Sequence, residues 1–138
     1  MTDISPILVT GMHRGGTSAI SKVLANLGVD TGPKEGLIGA SDSNRHGHYE
    51  VRKIVDLNDR MLEDLGGSWL SPPSNFEELV NFSEGPYKEI ALDVIGRHFG
   101  DRPWFIKDPR FCLLLPFWRS VLPSSPLLIV VVRSTDSI

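Results

Sequence analysis

The sequence feature that most constrains the fold is a glycine-rich stretch at residues 11–18, which reads Gly-Met-His-Arg-Gly-Gly-Thr-Ser. An apolar run precedes it, and the residues after it carry apolar side chains at helical spacing. These helical positions are Ile20, Val23, Leu24 and Leu27. Glycines let a backbone turn tightly beside a ligand, and the free N–H groups at a helix start attract an anion. The stretch therefore predicts a phosphate-binding loop between a strand and a helix.

The loop matches the Walker A spacing G-x-x-x-x-G-K-[ST] except at Thr17, which stands where that pattern has lysine. Arg14, three positions before Thr17, is the nearby cation. A nucleotide kinase uses the loop lysine on the β- and γ-phosphates and holds magnesium on the final hydroxyl. A P-loop kinase is therefore an alternative interpretation, with Asp108, after an apolar strand, as its magnesium carboxylate.

Apolar segments alternate with helical patterns along the chain. The predicted strands cover residues 7–10, 29–31, 104–107 and 127–132. This alternation predicts an α/β fold with a parallel sheet and a ligand crevice at the carboxyl ends of the strands. Thr10, Lys107 and Arg133 leave their strands at that edge, so we expect them to line the crevice.

The last predicted strand is rich in β-branched residues, which is typical of a parallel strand buried on both faces. Only residues 133–138 follow it, where a covering helix is expected. We therefore interpret residues 1–138 as a single domain that is incomplete at its C-terminus.

Two helices are predicted most clearly. One has its apolar positions on a single face, at Ile54, Leu57, Met61 and Leu65. The other follows the third strand, where Asp108 and Pro109 are predicted to form its cap and first turn. Pro116 lies inside this second helix and predicts a kink or a division into two pieces. Pro86 is suited to the first position of a further helix between them.

Composition narrows the classes of partner. The 138 residues carry a net charge of −3, which argues against a general nucleic-acid-binding surface. No stretch approaches 18 apolar residues, so neither a membrane span nor a signal peptide is predicted. The single cysteine is typical of a reducing compartment, and we expect a cytoplasmic protein.

Four blocks of sequence, taken together and in order, resemble the bacterial branch of the PAPS-dependent sulfotransferases. They are the loop at residues 11–18, the run at 48–50 (His-Tyr-Glu), the run at 107–110 (Lys-Asp-Pro-Arg) and the run at 130–133 (Val-Val-Val-Arg). The resemblance extends from about residue 7 to the last residue. It implies a three-layer α/β/α, P-loop NTPase-like fold with strand order 2-3-1-4.

The resemblance also implies a donor, 3'-phosphoadenosine 5'-phosphosulfate (PAPS), and a product, adenosine 3',5'-bisphosphate. Arg14 corresponds to the cation that contacts the phosphosulfate and stabilises the leaving group. Arg133 corresponds to the arginine that binds the 3'-phosphate. The residues that correspond to the 5'-phosphate loop are His13, Gly15, Gly16, Thr17 and Ser18. No metal is expected, because Arg14 and the helix dipole supply positive charge.

Sulfuryl transfer to an alcohol also needs a base for the incoming hydroxyl. Glu50 is the candidate, since related carbohydrate sulfotransferases have a glutamate in a comparable position. The competing interpretation of Glu50 is a first-turn glutamate that stabilises a helix dipole. His48 is the alternative base, because histidine accepts a proton near neutral pH. Lys107 and Arg110 are candidate contacts for sulfate, cofactor or acceptor.

The acceptor implied is a carbohydrate or small-molecule hydroxyl. Histidines at residues 13, 46 and 48 suggest a metal site, but no cysteine or carboxylate cluster at ligand spacing completes one. A non-enzymatic interpretation also stays open, in which a truncated, inactive domain forms a homodimer through an exposed apolar sheet edge.

Overall fold

The computed structural model describes residues 6–11, 16–38 and 49–132. In these residues, three strands are separated by helices, with four α-helices in succession between the first and second strands. The strands are β1 (Ile7–Gly11), β2 (Phe105–Lys107) and β3 (Leu127–Val131). The helices are α1 (Thr17–Asn26), α2 (Arg52–Asp64), α3 (Leu79–Phe82), α4 (Pro86–His98) and α5 (Phe111–Val121), with a 3-10 turn at Lys34–Gly36. The chain therefore has a mixed α/β fold.

The three strands form one parallel sheet with β1 in the centre, between β2 and β3. Ile7 is in register with Phe105 on one side and Leu127 on the other. The predicted strand at residues 29–31 is reduced to a single parallel bridge between Asp30 and Trp104, because only one residue pair matches there. The sheet is therefore three-stranded in the described residues.

Burial in the sheet is uneven. Leu8 and Val9 of β1 are fully buried, as expected for a central strand. By contrast, Leu127 and Val130 of β3 are 56% and 52% exposed, so the prediction of a strand buried on both faces is wrong for the described residues. The β-branched composition marks the strand correctly, but burial also requires a covering element, and no described helix packs closely on β3.

The main hydrophobic core lies between the sheet and the helices that pack on it. Helix α2 contacts α4, and α5 contacts β1, α3 and α4. The buried apolar side chains of this core include Leu8, Ile54, Leu57, Met61, Ala91, Val94, Ile106, Phe111, Leu114, Phe117 and Trp118. The predicted apolar face of α2 is confirmed, and Pro86 is the first residue of α4 as predicted.

The buried face of α1 is not the apolar face that its sequence pattern indicates. It packs on β1 and β2 with Thr17 and Ser21 buried, whereas Val23 and Leu27 are 53% and 75% exposed. Small polar side chains suit this position because the Ser21 hydroxyl is satisfied by donating to the Thr17 carbonyl at 2.8 Å. Two positions of the apolar pattern, Val23 and Leu27, therefore face solvent.

Helix α5 runs without a break past Pro116, so it is not divided into two pieces. Proline removes one backbone N–H from the helix, and the exposed position of Pro116 limits the cost of that loss. The helix begins at Phe111, so Asp108 and Pro109 lie in the turn before it rather than in its first turn. No described helix is long and apolar enough to cross a membrane.

Candidate functional site

The carboxyl ends of the three parallel strands lie at one edge of the sheet, where β1 ends at Gly11 and β2 ends at Lys107. The predicted site residues described at or near this edge are Gly16, Thr17, Ser18, Glu50, Lys107 and Arg110. The other predicted site residues lie outside the described residues: His13, Arg14, Gly15, His48 and Arg133. Candidate positions at the edge therefore come from the start of α1, the residues just before α2, the end of β2 and the turn before α5.

Gly11, the last residue of β1, lies in register with Val131 of β3. Its φ is 154°, and a Cβ built there lies 2.7 Å from the Val131 carbonyl oxygen and 3.1 Å from Cγ2 of Thr17. A side chain therefore cannot be added without moving backbone. Gly16 has φ 102° and precedes Thr17, the first residue of α1, in a left-handed conformation that favours glycine.

The N-terminus of α1 has the features of an anion-binding end. Gly16 has no side chain with which to cap the helix, and the first turn carries no acidic residue. Thr17 is buried and Ser18 is half-buried in that turn. Because the first N–H groups of a helix have no intrahelical acceptor, the end of a ten-residue helix favours an anion.

Two predicted site residues from distant parts of the sequence meet in a buried ion pair. Lys107 Nζ lies 2.9 Å from Glu50 Oε1, with the side chains 5% and 10% exposed. Glu50 precedes α2, which begins at Arg52, so its interpretation as a first-turn glutamate is wrong. The charge of Lys107 is therefore balanced by Glu50, and the two side chains form a single unit.

The backbone around Glu50 is held on both sides. The Ile38 N–H donates to the Glu50 carbonyl at 2.9 Å, and Leu37 forms an antiparallel bridge with Val51. Tyr49, immediately before Glu50, has φ 56°, which is uncommon for a residue with a Cβ. These contacts fix the position from which the Glu50 side chain reaches Lys107.

A second charged group lies beside this pair. Asp108 is fully buried, and its Oδ1 accepts from the backbone N–H and from Nη1 of Arg110, each at 3.0 Å. Its Oδ2 accepts from Asn58 Nδ2 at 2.8 Å, and Arg110 Nε donates to Asp59 at 2.6 Å. Burial raises the pKa of Asp108 above its ordinary value, while Arg110 and Asn58 act in the opposite direction.

Asn58 and Asp59 were not found from the sequence. Asn58 is fully buried, and besides its bond to Asp108 it accepts from Trp118 Nε1 at 2.8 Å. It therefore connects α2, the turn after β2 and α5. The sequence places Asn58 one position after Leu57, on the apolar side of a predicted helix, which indicates a buried polar side chain. That position does not identify the distant residues with which Asn58 forms hydrogen bonds.

The Thr10 side chain connects the end of β1 to the segment that follows β2. Its hydroxyl is buried, donates to the Pro109 carbonyl at 3.2 Å and lies 3.2 Å from Cys112 Sγ. It therefore ties β1 to the start of α5 rather than presenting a free hydroxyl to the crevice. Among the described residues, no group of three or more histidine, cysteine, aspartate or glutamate side chains has the arrangement of a metal site.

Comparison with protein-family models, with curated proteins and with solved structures found no match in any of the three.

Proposed function

We propose that this chain is a sulfotransferase domain with a P-loop-like fold and the strand order 2-3-1-4. It would transfer a sulfuryl group from PAPS to the hydroxyl of a small molecule or carbohydrate. The observation that carries the proposal is the strand–glycine–helix arrangement from Gly11 to Thr17, with a buried Lys107–Glu50 pair at the end of the adjacent strand.

The described residues are compatible with the phosphate end of this donor. Gly11 and Gly16 leave space that a Cβ would occupy or strain, and α1 presents its N-terminus beside them. Thr17 and Ser18 begin the helix there and would hold the 5'-phosphate with Gly15 and Gly16. From the sequence pattern, His13 and Arg14 complete this group, and Arg133 would bind the 3'-phosphate.

The donor supplies a sulfuryl group, whose bond to a phosphate oxygen breaks as a bond to the acceptor oxygen forms. Arg14 would stabilise the electron pair that stays on the leaving oxygen. Glu50 would accept the acceptor's hydroxyl proton, with His48 as the alternative base. Lys107 would hold the Glu50 carboxylate in place, because the two side chains are already paired at 2.9 Å.

The geometry does not favour the kinase alternative. A magnesium carboxylate needs an oxygen that can face the ion. Both oxygens of Asp108 accept hydrogen bonds from protein groups, and the residue is fully buried. Asp108 is therefore better explained as the centre of a structural network.

The direct experiment is calorimetric titration with adenosine 3',5'-bisphosphate, with ATP and magnesium as the comparison. We expect the bisphosphate to bind and Arg14→Ala or Arg133→Ala to weaken binding about ten-fold or more, since each removes a charge-assisted contact. The matched control is Arg102→Ala, an exposed arginine outside the site. Absence of bisphosphate binding, or turnover of ATP instead, contradicts the proposal.

The role of Glu50 needs a separate design because removing its charge also leaves Lys107 unpaired. We expect Glu50→Gln to retain bisphosphate binding and lose transfer. The double variant Glu50→Gln/Lys107→Met removes both charges of the pair. If Glu50 is the base, the double variant is also inactive; recovery of transfer in the double variant would show that the glutamate acts only through the ion pair.

We also propose that the exposed side chains of β3 are covered by a second copy of the chain, giving a homodimer. Leu127, Leu128 and Val130 are exposed on a strand that pairs, among the described residues, only with β1. An unpaired strand edge with apolar side chains favours association with another strand.

A further inference from the structure

A cavity of about 330 Å³ lies beside the segment that carries Glu50. It is formed where the 3-10 turn, the start of α2 and the end of α4 meet. The volume is within the range of small-molecule sites, roughly 300–1,000 Å³.

The lining separates into an apolar part and a cationic part. Val51 and Val94 are buried and, with Pro33, supply apolar surface. Arg52 and Lys53 are exposed lining residues from the first turn of α2. Arg97 is the third lining cation, and it also pairs with Asp93 at 2.8 Å. Glu35 is the one carboxylate among the described lining residues, so positive charge is in excess.

The start of α2 adds to this positive field. Val51 precedes the helix, and the first intrahelical bonds to its carbonyl come from Ile54 and Val55. The N–H groups of Arg52 and Lys53 belong to the helix end that has no intrahelical acceptor. The first turn contains no acidic side chain that could balance the helix dipole.

The part of the cavity wall formed by His98 is tightly packed. His98 Nε2 lies 2.8 Å from the Thr31 carbonyl oxygen. A Cβ on Gly32 would lie 2.1 Å from His98 Nε2, and a Cβ on Gly36 would lie 2.7 Å from His98 Nδ1. The imidazole ring therefore occupies space that two glycines leave open, which fixes this side of the cavity.

We propose that this cavity binds a small organic anion, with its apolar body against Val51 and Val94 and its charge toward Arg52, Lys53 and the start of α2. Because Val51 follows Glu50 directly, we assign the anion to the acceptor, as a hydroxyl compound that carries a carboxylate, sulfate or phosphate group. This assignment rests on the proposed sulfotransferase function; the anion site itself rests on the cavity.

A matched pair of probes tests the charge requirement. The full chain is titrated with 4-hydroxybenzoate and with its uncharged analogue 4-hydroxybenzamide, followed by calorimetry and by ligand-observed NMR at low ionic strength. We expect 4-hydroxybenzoate to bind about ten-fold more tightly or better, and this preference to shrink as salt screens the cations. Equal binding of the two compounds, or binding of neither, overturns the proposal.

Variants locate the binding. Arg52→Gln and Lys53→Met are exposed substitutions, and each should reduce the preference for 4-hydroxybenzoate several-fold. Lys88→Met removes another exposed lysine, at the other end of α4, and should leave the preference unchanged. Gly36→Ala should weaken the binding of both compounds, because the added Cβ would collide with the His98 ring. A preference that survives both α2 substitutions places the anion elsewhere and overturns the proposal.

The same samples separate this inference from the proposed function. Adenosine 3',5'-bisphosphate should bind the Arg52→Gln and wild-type proteins equally. If the bisphosphate binds but 4-hydroxybenzoate does not, the anion site and its assignment to the acceptor fail, and the sulfotransferase proposal stands. If 4-hydroxybenzoate binds as expected but the bisphosphate does not, the sulfotransferase proposal fails and the cavity is an anion site of another function.

Discussion

The roles of Glu50 and Lys107 depend on their pairing with each other. The sequence predicts Glu50 as a candidate base and Lys107 as a candidate contact for sulfate, cofactor or acceptor. In the structure they form a buried ion pair at 2.9 Å. Loss of one partner leaves the other charge buried without compensation, which costs more than the pair itself contributes.

We therefore expect Lys107→Met to lower the free energy of unfolding by about 3–5 kcal/mol. Glu50→Gln should have a smaller effect of the same sign, since the amide oxygen can still accept from lysine. The double variant should be more stable than Lys107→Met, because no isolated charge is left. Urea unfolding of all four proteins measures the coupling. Additive effects of the two substitutions contradict this prediction.

At the scale of elements, the close pairing of β3 with the end of β1 depends on Gly11. We expect Gly28→Ala to cost about 1–2 kcal/mol, because Gly28 has φ 93° but no atom within 4 Å of an added Cβ. Gly11→Ala should cost about 1–3 kcal/mol more, because its Cβ also meets the Val131 carbonyl. Chemical unfolding compares the two variants. Equal costs would show that backbone conformation alone requires Gly11.

Helices α2 and α4 are joined by a hydrogen bond from the Tyr87 hydroxyl to Asp64. Burial, together with this hydrogen bond, raises the pKa of Tyr87 to about 12 from an ordinary value of 10.0. Because the folded state holds the phenol proton more tightly, the contribution to stability is complete below pH 10. It is lost as the pH rises from 10 toward 12.

We expect Tyr87→Phe to lower the free energy of unfolding at neutral pH by about 0.5–1 kcal/mol, at the low end for a partly exposed bond. The difference between wild type and variant should shrink above pH 10, as measured by urea unfolding at a series of pH values. Titration of the phenolate absorbance gives the pKa directly. A difference that grows with pH has the wrong sign for this account.

At the scale of the whole molecule, the sheet is buried at β1 and β2 and exposed at β3. If a second copy covers β3, light scattering should give the mass of two chains at high concentration. Val130→Lys should shift the protein toward the monomer, because a charge is costly in an apolar interface. Val80→Lys, at an exposed position on α3, is the matched control. A monomeric wild-type protein at all concentrations contradicts the homodimer.

The sequence by itself determined the local features. Alternating apolar segments and glycines gave the α/β class and the positions of β1, β2 and β3. The apolar spacing placed α2, and Pro86 placed the start of α4. These features depend on neighbours within a few residues, since periodicity and backbone restriction act over one element.

Only the tertiary structure decided which groups meet. Glu50 and Lys107 are 57 residues apart in sequence, and Asn58 and Asp108 are 50 apart. An apolar pattern indicates which face of an element favours burial, but it does not indicate which other element covers that face. Val23 and Val130 are therefore exposed although their patterns favour burial. The partner of a charged side chain likewise cannot be predicted from the sequence, because packing between distant elements decides which charges meet.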